Sequence, residues 1–444
     1  MEATPSSKRL PSRHVGEPDL PDLQDSRQSA AEGNTARTPY KQEVTGSNPV
    51  PPIVPVAFGD PEVGYRHTDH VIYRLLFRLI LQRLDAEDAH QLAARVLRVI
   101  DATPLVGHAL RLMLRPRDRG LRVRALGLEF PSPLGVAAGM DKDASWFESL
   151  GSLGFGFVEV GTVTALPQAG NPRPRVFRLI RDAALLNSMG FPNPGAGATA
   201  ERLRRGRRAG TIVGVNIGKS RVVELEDAGE DYRDTARQVG PLADFVVINV
   251  SSPNTPGLRG MQEVGALGAL IDDVAGELGR LAVRVPVLIK IGPDLSDGEL
   301  DDVCDLALDR GLDGIVAVNT TLVRNGIVSD PGISAKPGGI SGAPLKRRAL
   351  EVVKRLRARS GGRLVLISVG GIETSADAWE RLMAGATLVQ VYTGFVYGGP
   401  LWPARLNRGL SQLLRESGHR SLEQAIGVAG KSVTSSREST PAAA

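Results

Sequence analysis

The sequence predicts a (β/α)8 TIM barrel that carries an amphipathic helical appendage on its amino-terminal side. Eight short apolar runs follow one another between residues 134 and 392, helix-length segments separate them, and polar or glycine residues follow the runs. Short strands that alternate with helices indicate a parallel sheet, and polar strand ends are typical of a barrel's active-site face. An open doubly wound sheet is the alternative, although it rarely carries functional residues after so many strands.

The eight predicted strands are runs rich in valine, isoleucine and leucine, as expected for strands that are buried on both faces. They are Leu134–Met140, Phe157–Thr162, Thr211–Ile217, Phe245–Val250, Pro286–Ile291, Gly314–Val318, Leu364–Val369 and Leu388–Tyr392. The chain also contains 51 glycines and only 4% aromatic residues. This composition suits the many tight turns that connect strands to helices.

The residue pattern divides the 444-residue chain into four regions. Residues 1–64 are rich in Pro, Ser, Glu, Asp and Arg without a hydrophobic period, and they are predicted to be a disordered extension. Residues 65–116 are predicted to be helical, and residues 117–415 are predicted to form the barrel. Residues 416–444 are low in hydrophobic pattern and are predicted to be a disordered tail.

Residues 65–116 are predicted to contain three helices. Apolar residues recur at helical spacing from Ile72 to Leu84, Asp85 is placed to cap a second helix, and a third helix runs from Leu105 to Leu114. Arginines flank these stretches. Two interpretations stay open at this point: the helices dock on the barrel, or they lie on a membrane surface with their apolar face down.

Composition excludes several classes of protein. The net charge of +5 is compatible with nucleic acid or an anionic membrane as a partner, and equally with an arginine-rich solvated surface. No apolar run reaches the roughly 18 residues of a transmembrane helix, and the first thirty residues lack the apolar segment of a secretion signal. The single cysteine, Cys304, excludes an intrachain disulfide and a cysteine-based zinc site, and we expect it to be a buried structural thiol.

The ends of the predicted strands carry residues suited to ligand binding. The segments are Ala138-Gly-Met-Asp-Lys142, Gly161-Thr162, the later loop Asn187-Ser-Met-Gly-Phe191, Asn216-Ile-Gly-Lys219, Asn249-Val-Ser-Ser-Pro-Asn-Thr-Pro-Gly257, Lys290, Asn319-Thr320, Gly370-Gly371 and Tyr392-Thr393-Gly394. Each glycine among them, and the polar segment after the fourth strand, reads alone as an ordinary turn. Because the carboxyl ends of barrel strands meet at one face, together they predict an active site.

The chemistry of these segments favours a phosphate-bearing planar cofactor such as FMN. Glycines after the seventh strand and small polar residues after the eighth match the usual phosphate site of the barrel. Lys290 at an inner strand end is costly to bury unless it is paired or functional. The sequence has no G-x-G-x-x-G fingerprint and no H-E-x-x-H motif, which argues against a Rossmann dinucleotide and against a metal. Four asparagines suit a small substrate with amide and carboxylate groups.

These segments together resemble one family, the dihydroorotate dehydrogenases of the quinone-dependent class. The resemblance covers roughly residues 65–410 and rests on long motifs in the right order. They are Ala137-Ala-Gly-Met-Asp-Lys-Asp143, Glu159-Val-Gly-Thr-Val-Thr164, Ala243 to Gly257, Lys290-Ile-Gly-Pro-Asp-Leu295, Gly338-Gly-Ile-Ser-Gly342 and Val369-Gly-Gly-Ile372. The family implies FMN in a (β/α)8 barrel, oxidation of dihydroorotate to orotate, a membrane quinone as electron acceptor, and a place in pyrimidine biosynthesis.

Position by position, the resemblance implies a set of site residues and no metal. Ser252 resembles the catalytic base. The implied substrate residues are Lys142, Asn187, Ser188, Met189, Gly190, Phe191, Asn249, Asn254, Asn319 and Thr320. The implied cofactor residues are Ala138, Gly139, Met140, Asp141, Lys142, Thr162, Asn216, Asn249, Lys290, Val318, Gly342, Gly371, Tyr392 and Thr393.

Two features assign the class. The related soluble class uses a cysteine as base, whereas this chain has Ser252, and the soluble class lacks the amino-terminal helices. In the quinone class those helices form an apolar tunnel to the flavin, which implies a peripheral protein on the cytoplasmic side of the cell membrane, in contact with lipid and not with nucleic acid. Val318 departs from the family, which often has threonine there; a contact through the backbone survives this change and a hydroxyl contact does not.

Three other functions are alternatives to this one. An FMN barrel that acts on tRNA, such as a dihydrouridine synthase, would suit the basic charge but needs a catalytic cysteine in a loop. A membrane-associated scaffold would use the helices but leaves the polar strand ends unexplained. The soluble dehydrogenase class is the third and closest alternative.

Overall fold

The computed structural model describes residues 68–206, 210–254, 260 and 262–428. The chain divides into two units, Met1–Gly64 and Tyr65–Ala444, and the described residues all belong to the second. The predicted disordered extension, residues 1–64, therefore lies outside the described residues. Residues 429–444 of the predicted tail, and the motif residues Thr255, Pro256 and Gly257, lie outside them as well.

Eight parallel strands close into a barrel, which confirms the predicted fold class. The strands are β1 Leu134–Val136, β2 Phe157–Val163, β3 Ile212–Ile217, β4 Phe245–Asn249, β5 Val287–Ile291, β6 Gly314–Ala317, β7 Val365–Val369 and β8 Leu388–Val391. Each strand pairs with the next along the chain, and β8 closes the ring by pairing with β1. All eight lie where the apolar runs predicted them.

The first strand is shorter than predicted, because β1 ends at Val136 and not at Met140. Gly139 has a φ of 96°, in the left-handed region, where a side chain is disfavoured. Its N–H donates to the carbonyl of Gly161, 2.7 Å away, and the N–H of Gly161 donates to the carbonyl of Asp141 at 2.9 Å. The segment after β1 thus leaves the ladder and folds across the end of β2.

Helices connect the strands on the outside of the barrel. They are α4 Phe147–Ser152, α5 Ala196–Gly206, α6 Ala228–Val239, α7 Val264–Leu278, α8 Asp297–Asp309, α9 Pro331–Ser334, α10 Lys346–Ser360, α11 Ser375–Met383, α12 Thr393–Gly398, α13 Trp402–Glu416 and α14 Leu422–Ala425. Local chemistry fixes some of the starts: Ser296 and Glu299 form a capping box at α8, and Thr374 and Asp377 form another at α11.

Aromatic rings fill the amino-terminal end of the barrel. Phe157 opens β2 and Phe245 opens β4, and their ring centroids lie 6.1 Å apart. Glycines on the neighbouring strands make room for them, because a Cβ at Gly135 would lie 2.3 Å from the Phe157 ring and one at Gly214 would lie 2.2 Å from the Phe245 ring. The apolar plug leaves the opposite, carboxyl end of the barrel for polar residues.

A small antiparallel sheet stands above that carboxyl end. Its strands are Val176–Leu179, Ala184–Asn187 and Gly339–Gly342, with the middle strand paired to both others. The first two belong to the long loop after β2, and the third belongs to the loop after β6. The pairing places Asn187 opposite Gly339 and Ala184 opposite Gly342, and so brings two distant loops to the barrel mouth.

Three helices precede the barrel, as predicted: α1 Thr68–Leu79, α2 Ala86–Ala102 and α3 Pro104–Leu114. Asp85 caps α2 by accepting from the Glu87 N–H at 2.8 Å. A short antiparallel hairpin, Val123–Ala125 with Leu128–Phe130, follows them.

The amino-terminal helices contact the barrel region on one side and expose apolar side chains on the other. Tyr73 donates from its hydroxyl to the Val396 carbonyl at 2.7 Å, and Phe77 is buried. In contrast, Leu105 is 86% exposed, Val99 67% and Ile72 66%. One side of the appendage therefore docks on the barrel, as the first interpretation expects. The other side exposes apolar residues, as the membrane interpretation expects. Among the described residues, none of the helices combines the length and apolar composition needed to span a membrane.

The carboxyl-terminal segment is packed further than the sequence suggested. The predicted loose tail begins at residue 416, but Leu422 and Ala425 of α14 are fully buried in the core. Glu423 accepts from the Arg124 N–H at 3.1 Å and ties the segment to the hairpin. The tail prediction is therefore wrong for residues up to 428, because a single four-residue helix carries too little periodicity to be recognised.

Candidate active site

A cavity opens at the carboxyl end of the barrel, and about 1210 Å³ of space lies within it and its open mouth, solvent included. Residues from the ends of the strands and from the small antiparallel sheet line it. Cavities of this kind, at this face of this fold, are where barrel enzymes bind their ligands.

Most of the residues predicted for the site line this one cavity. They are Ala138, Gly139, Lys142, Thr162, Asn187, Met189, Gly190, Phe191, Asn249, Ser252, Asn254, Lys290, Val318, Asn319, Thr320, Gly342, Gly371, Tyr392 and Thr393. The fold thus brings together segments that are up to 255 positions apart in the chain (Ala138 and Thr393). Pro253, Ser341 and Ile372 line the cavity as well; they lie in the quoted motifs but were given no role. Leu345 and Gln390 also line it, and they lie outside those motifs.

Four predicted residues lie behind the cavity wall. Met140, Asp141 and Asn216 are buried, and Ser188 lies in the loop with its main chain engaged by neighbouring segments. Asp141 caps the turn before α4 by accepting from the Ser145 and Trp146 N–H groups at 2.9 Å each. These four residues therefore lie where they can support the residues that line the cavity.

The two adjacent serines after β4 have different environments. Ser251 is fully buried, donates to the Asn249 Oδ1 at 3.0 Å and accepts from Asn319 Nδ2 at 3.0 Å. Ser252 lines the cavity with only 4% of its surface exposed, and its Oγ accepts from the Asn254 N–H at 3.2 Å. Ser251 is thus committed to the scaffold, whereas Ser252 presents its hydroxyl to the cavity.

A buried carboxylate, Glu159, links four strands of the barrel. Its Oε1 accepts from Asn216 Nδ2 at 2.7 Å and from Lys290 Nζ at 3.3 Å, and its Oε2 accepts from Gln390 Nε2 at 2.5 Å. The Glu159 side chain is fully buried and that of Lys290 is 5% exposed. A buried carboxylate is tolerated only when it is paired and hydrogen-bonded, and this one has both. The sequence identified Lys290 as unusual but not its partner.

The hydrogen bonds continue from Glu159 toward the substrate side. Asn216 Oδ1 accepts from Thr162 Oγ1 at 2.6 Å and from Asn249 Nδ2 at 3.0 Å. Asn249 in turn accepts from Ser251, which is bonded to Asn319. The Asn249 carbonyl accepts from the buried Tyr232 hydroxyl at 2.8 Å, which fixes the end of β4 from the other side.

Lys142 is the cation at the edge of the cavity formed by the segment after β1. Burial lowers the pKa of Lys142 to about 8, against the opposing effect of Glu87, Asp141 and Asp143. Burial likewise lowers the pKa of His90 to about 3, with the charge of Lys142 adding to the effect. A lysine poised near neutrality gains its full charge when an anion lies beside it.

Glycines with left-handed backbone form a cradle between the small sheet and the ends of β7 and β8. Gly342 has a φ of 97°, Gly370 of 106° and Gly371 of 71°, and a Cβ at Gly371 would lie 2.3 Å from the Lys346 Cα. Thr393 lies beside them and shares a 2.8 Å hydrogen bond with Ser341. Bare backbone N–H groups and small hydroxyls of this kind suit a phosphate group.

Arg381 supports this cradle from behind. Its side chain is fully buried, and its Nη2 donates to the carbonyls of Lys346 and, at 3.2 Å, Gly370. Its Nε and Nη1 are buried without a partner among the described residues. Burial lowers the pKa of Arg381 to about 10, so the guanidinium keeps its positive charge at neutral pH behind the cradle.

Cys304 lies away from the cavity. It is fully buried in α8, and burial raises the pKa of its thiol to about 11. A buried thiol with a raised pKa is a poor nucleophile and a poor acid near neutral pH. This confirms the expected structural thiol and removes the cysteine chemistry that a tRNA-modifying flavin barrel would need.

Val318 also lines the cavity, just after β6. It is buried, and its N–H donates to the Val369 carbonyl at 3.1 Å. The Val318 N–H is therefore used by the barrel, and the valine side chain has no hydroxyl to offer to a ligand.

Comparison with known proteins identifies similar chains. A family model described as dihydroorotate dehydrogenase matches residues 120–414. A relative from Thermobifida fusca (strain YX), named dihydroorotate dehydrogenase (quinone), is 54% identical over 366 residues, which are 81% of this chain and 97% of the relative. A relative of the same name from Rhodococcus opacus (strain B4) is 52% identical over 360 residues, which are 81% of this chain and 98% of the relative.

A solved structure has the same fold. The crystal structure of DHODH from Eimeria tenella in complex with ferulenol aligns with a TM-score of 0.68 at 36% sequence identity. The alignment covers 73% of this chain and 94% of that one.

Proposed function

The chain belongs to the dihydroorotate dehydrogenase family, and we propose that its cavity oxidises dihydroorotate to orotate on a bound flavin, with a quinone as electron acceptor. The reaction is a step of pyrimidine biosynthesis. The observation that carries the proposal is the convergence of Ser252, Lys142, four asparagines and the glycine cradle on one cavity at the carboxyl end of the barrel.

The flavin proposed for this cavity is FMN. Gly342, Gly371 and Thr393 would hold its phosphate, Lys290 would lie at the charged end of its ring system, and Ala138 and Gly139 leave room for a flat ring. The left-handed backbone of Gly342 and Gly371, beside the Thr393 side chain in the cavity lining, supports this fit. When bound, FMN accepts a hydride from the substrate and delivers the electrons to the quinone.

The substrate side of the cavity suits a ring with amide groups and a carboxylate. Lys142 supplies the cation for the carboxylate, while Asn187, Asn254 and Asn319 offer amides to the ring. Asn254 Nδ2 already donates to Asn187 Oδ1 at 3.3 Å, so these two side chains are oriented before a ligand binds. Preorganised donors hold a substrate in the pose that reacts and reduce the entropic cost of reaching it.

Ser252 is the proposed base, which takes a proton from the substrate carbon at its Oγ. A serine hydroxyl is a weak base in water and works only in a dry site where its own proton can leave. Its 4% exposure and the N–H of Asn254 at 3.2 Å meet the first requirement and orient the hydroxyl.

The helices α1 to α3 are proposed to form a quinone-access domain that rests on the cytoplasmic face of the cell membrane. The support is the row of exposed apolar side chains, among them Leu105, Met113 and Val99, on helices that also carry arginines. Such a face favours burial in the headgroup region of a lipid bilayer. We propose the domain boundaries as residues 65–116 for this part and 117–415 for the barrel, with lipid and not nucleic acid as the macromolecular surface.

The choice of acceptor tests the proposed class. The purified protein is expected to be yellow and to transfer electrons from dihydroorotate to a short-chain quinone, and not to fumarate or NAD. The measurement is the initial rate with each acceptor at equal dihydroorotate, with protein stripped of flavin as the control. Reduction of NAD or fumarate without quinone reduction would overturn the class, and a colourless protein that FMN does not restore would overturn the cofactor.

Replacement of the proposed base is predicted to slow flavin reduction selectively. Ser252→Ala removes the proton acceptor but no hydrogen bond of the barrel network, so flavin content should stay normal while the rate falls by about 10²–10⁴-fold at neutral pH. Stopped-flow absorbance of the anaerobic half-reaction measures this rate. Ser251→Ala is the matched variant: it disturbs the buried Asn249–Asn319 connection, so it should lower stability and slow the half-reaction less than Ser252→Ala does. An unchanged half-reaction in Ser252→Ala would remove Ser252 as the base.

Orotate affinity is predicted to fall at alkaline pH. Lys142 is protonated below its pKa of about 8 and loses its charge above it. Binding of the anionic ligand requires the charged form, so the Kd of orotate should be flat below pH 8 and rise by about tenfold per pH unit above it. Lys142→Gln should weaken binding at pH 7 and remove the pH dependence. Titration by flavin absorbance measures the Kd; a flat profile from pH 6 to 10 in the unmodified protein would contradict this role.

A further inference from the structure

An ion-pair cluster lies between helix α2 and the loop that follows β2, outside the residues proposed to touch ligands. Glu87, in the first turn of α2, accepts from Arg175 through both carboxylate oxygens: Nη2 lies 2.8 Å from Oε1 and Nε 3.0 Å from Oε2. The Nε of Arg173 donates to the same Oε2 at 2.9 Å. The side chains of Glu87 and Arg175 are 11% and 8% exposed, so this forked pair is shielded from water.

Arg175 uses its remaining nitrogen to hold the loop in a tight shape. Its Nη1 donates to the carbonyls of Ala169 and Asn171, at 2.7 Å each. Gly170 between them has a φ of 76°, and a Cβ there would lie 2.7 Å from this nitrogen. The guanidinium therefore occupies the inside of the turn, and Glu87 fixes the guanidinium.

The same loop is bonded to the segment that faces the substrate. The Asn171 N–H donates to the Met189 carbonyl at 2.9 Å, and its side-chain amide donates to the Ser188 carbonyl at 2.8 Å. The Ser188 N–H donates back to the Arg175 carbonyl at 2.8 Å. Asn187, Met189 and Gly190 of this segment line the cavity. These hydrogen bonds, two of them between main-chain groups, connect the loop that Glu87 holds to the cavity wall.

We propose that Glu87 is a positioning residue for the substrate side of the site, acting through Arg175 and Asn171 on the segment Asn187–Gly190. The proposal rests on the proposed function, since it assigns that segment to the substrate. It makes the amino-terminal appendage a structural part of the dihydroorotate half-reaction as well as an access route for the quinone. The arrangement of α2 then sets substrate affinity from outside the cavity.

The neighbouring ion pair of Asp88 with Arg173 is an exposed counterpart to the buried pair of Glu87 with Arg175. Asp88 accepts from Arg173 Nη2 at 3.1 Å, but Asp88 is 57% exposed and Arg173 45%. Exposed pairs of this kind contribute little to stability or geometry. Burial alone raises the pKa of Glu87, but hydrogen bonds from Arg175 and Arg173 outweigh burial and hold the pKa at about 2. Glu87 therefore keeps its charge, and its hold on the loop, across the working pH range.

The test compares Glu87→Gln with Asp88→Asn in the full-length, flavin-loaded protein. Glu87→Gln keeps the shape but removes the charge that Arg175 needs, so the Kd of orotate and the half-saturating dihydroorotate should rise by about tenfold to hundredfold, as for a displaced binding group. Asp88→Asn should change both by less than about twofold. Glu87 raises the pKa of Lys142, so measurement at pH 6.5, below the Lys142 pKa of about 8, reduces the part of the effect that acts through that lysine.

Two further readouts separate positioning from general destabilisation. Hydrogen exchange at the Asn171 and Ser188 amides should accelerate about tenfold or more in Glu87→Gln and stay unchanged in Asp88→Asn. Asn171→Ala removes the side-chain bond to Ser188 and leaves both main-chain bonds, so in that background Glu87→Gln should raise the orotate Kd by a clearly smaller factor than in the unmodified protein. Flavin content and melting temperature are followed in every variant.

Each outcome decides the proposal. A raised Kd, faster exchange at these amides and a smaller effect on the Kd in the Asn171→Ala background support it. Unchanged Kd and exchange in Glu87→Gln, equal effects in Asp88→Asn, or a lower melting temperature with an unchanged Kd overturn it. If the unmodified protein itself neither binds orotate nor is reduced by dihydroorotate, the proposed function fails instead, and the exchange measurement still tests the connection.

Discussion

The site depends on a buried negative charge inside the barrel. Glu159 on β2 receives hydrogen bonds from Asn216 on β3, Lys290 on β5 and Gln390 on β8. A carboxylate without water is unfavourable unless such donors surround it, so the four side chains fix one another and hold Lys290 at the cavity wall. The aromatic plug at the other end of the barrel has no such polar requirement. The two ends of one barrel therefore carry different chemistry.

The hydrogen bonds that start at Glu159 give the neighbouring residues Ser251 and Ser252 different roles. Asn216 and Asn249 carry them to Ser251, which is buried and bonded on both sides. Ser252, one position later, lies outside this network and lines the cavity. Rigid placement of the first serine positions the second, in the same way that Glu87 on α2 orients cavity residues that it does not touch. Preorganisation in this protein is built from residues behind the wall.

The sequence predicted the parts that depend on local pattern. The eight strands were recognisable because buried parallel strands are short apolar runs. The role of Ser252 came from the family resemblance and stays a prediction, and the structure adds that Ser252 lines the cavity. Glu159, the partner of Lys290, could not be recognised from local pattern, because barrel closure joins residues that are 131 positions apart in the chain. Likewise, the Glu87–Arg175 pair joins residues 88 positions apart. Helix α14 has only four residues, which is too short for a helical hydrophobic period to be recognised.

A double-mutant cycle on the Glu159–Lys290 pair tests the central claim most directly. Chemical unfolding of the flavin-loaded protein is measured for Lys290→Met, Glu159→Gln and the double variant. Lys290→Met leaves the carboxylate buried without its cation and should lower the free energy of unfolding by roughly 3–5 kcal/mol. The double variant should be more stable than the sum of the single effects by about 1 kcal/mol or more. Additivity to within about 0.5 kcal/mol would contradict the account.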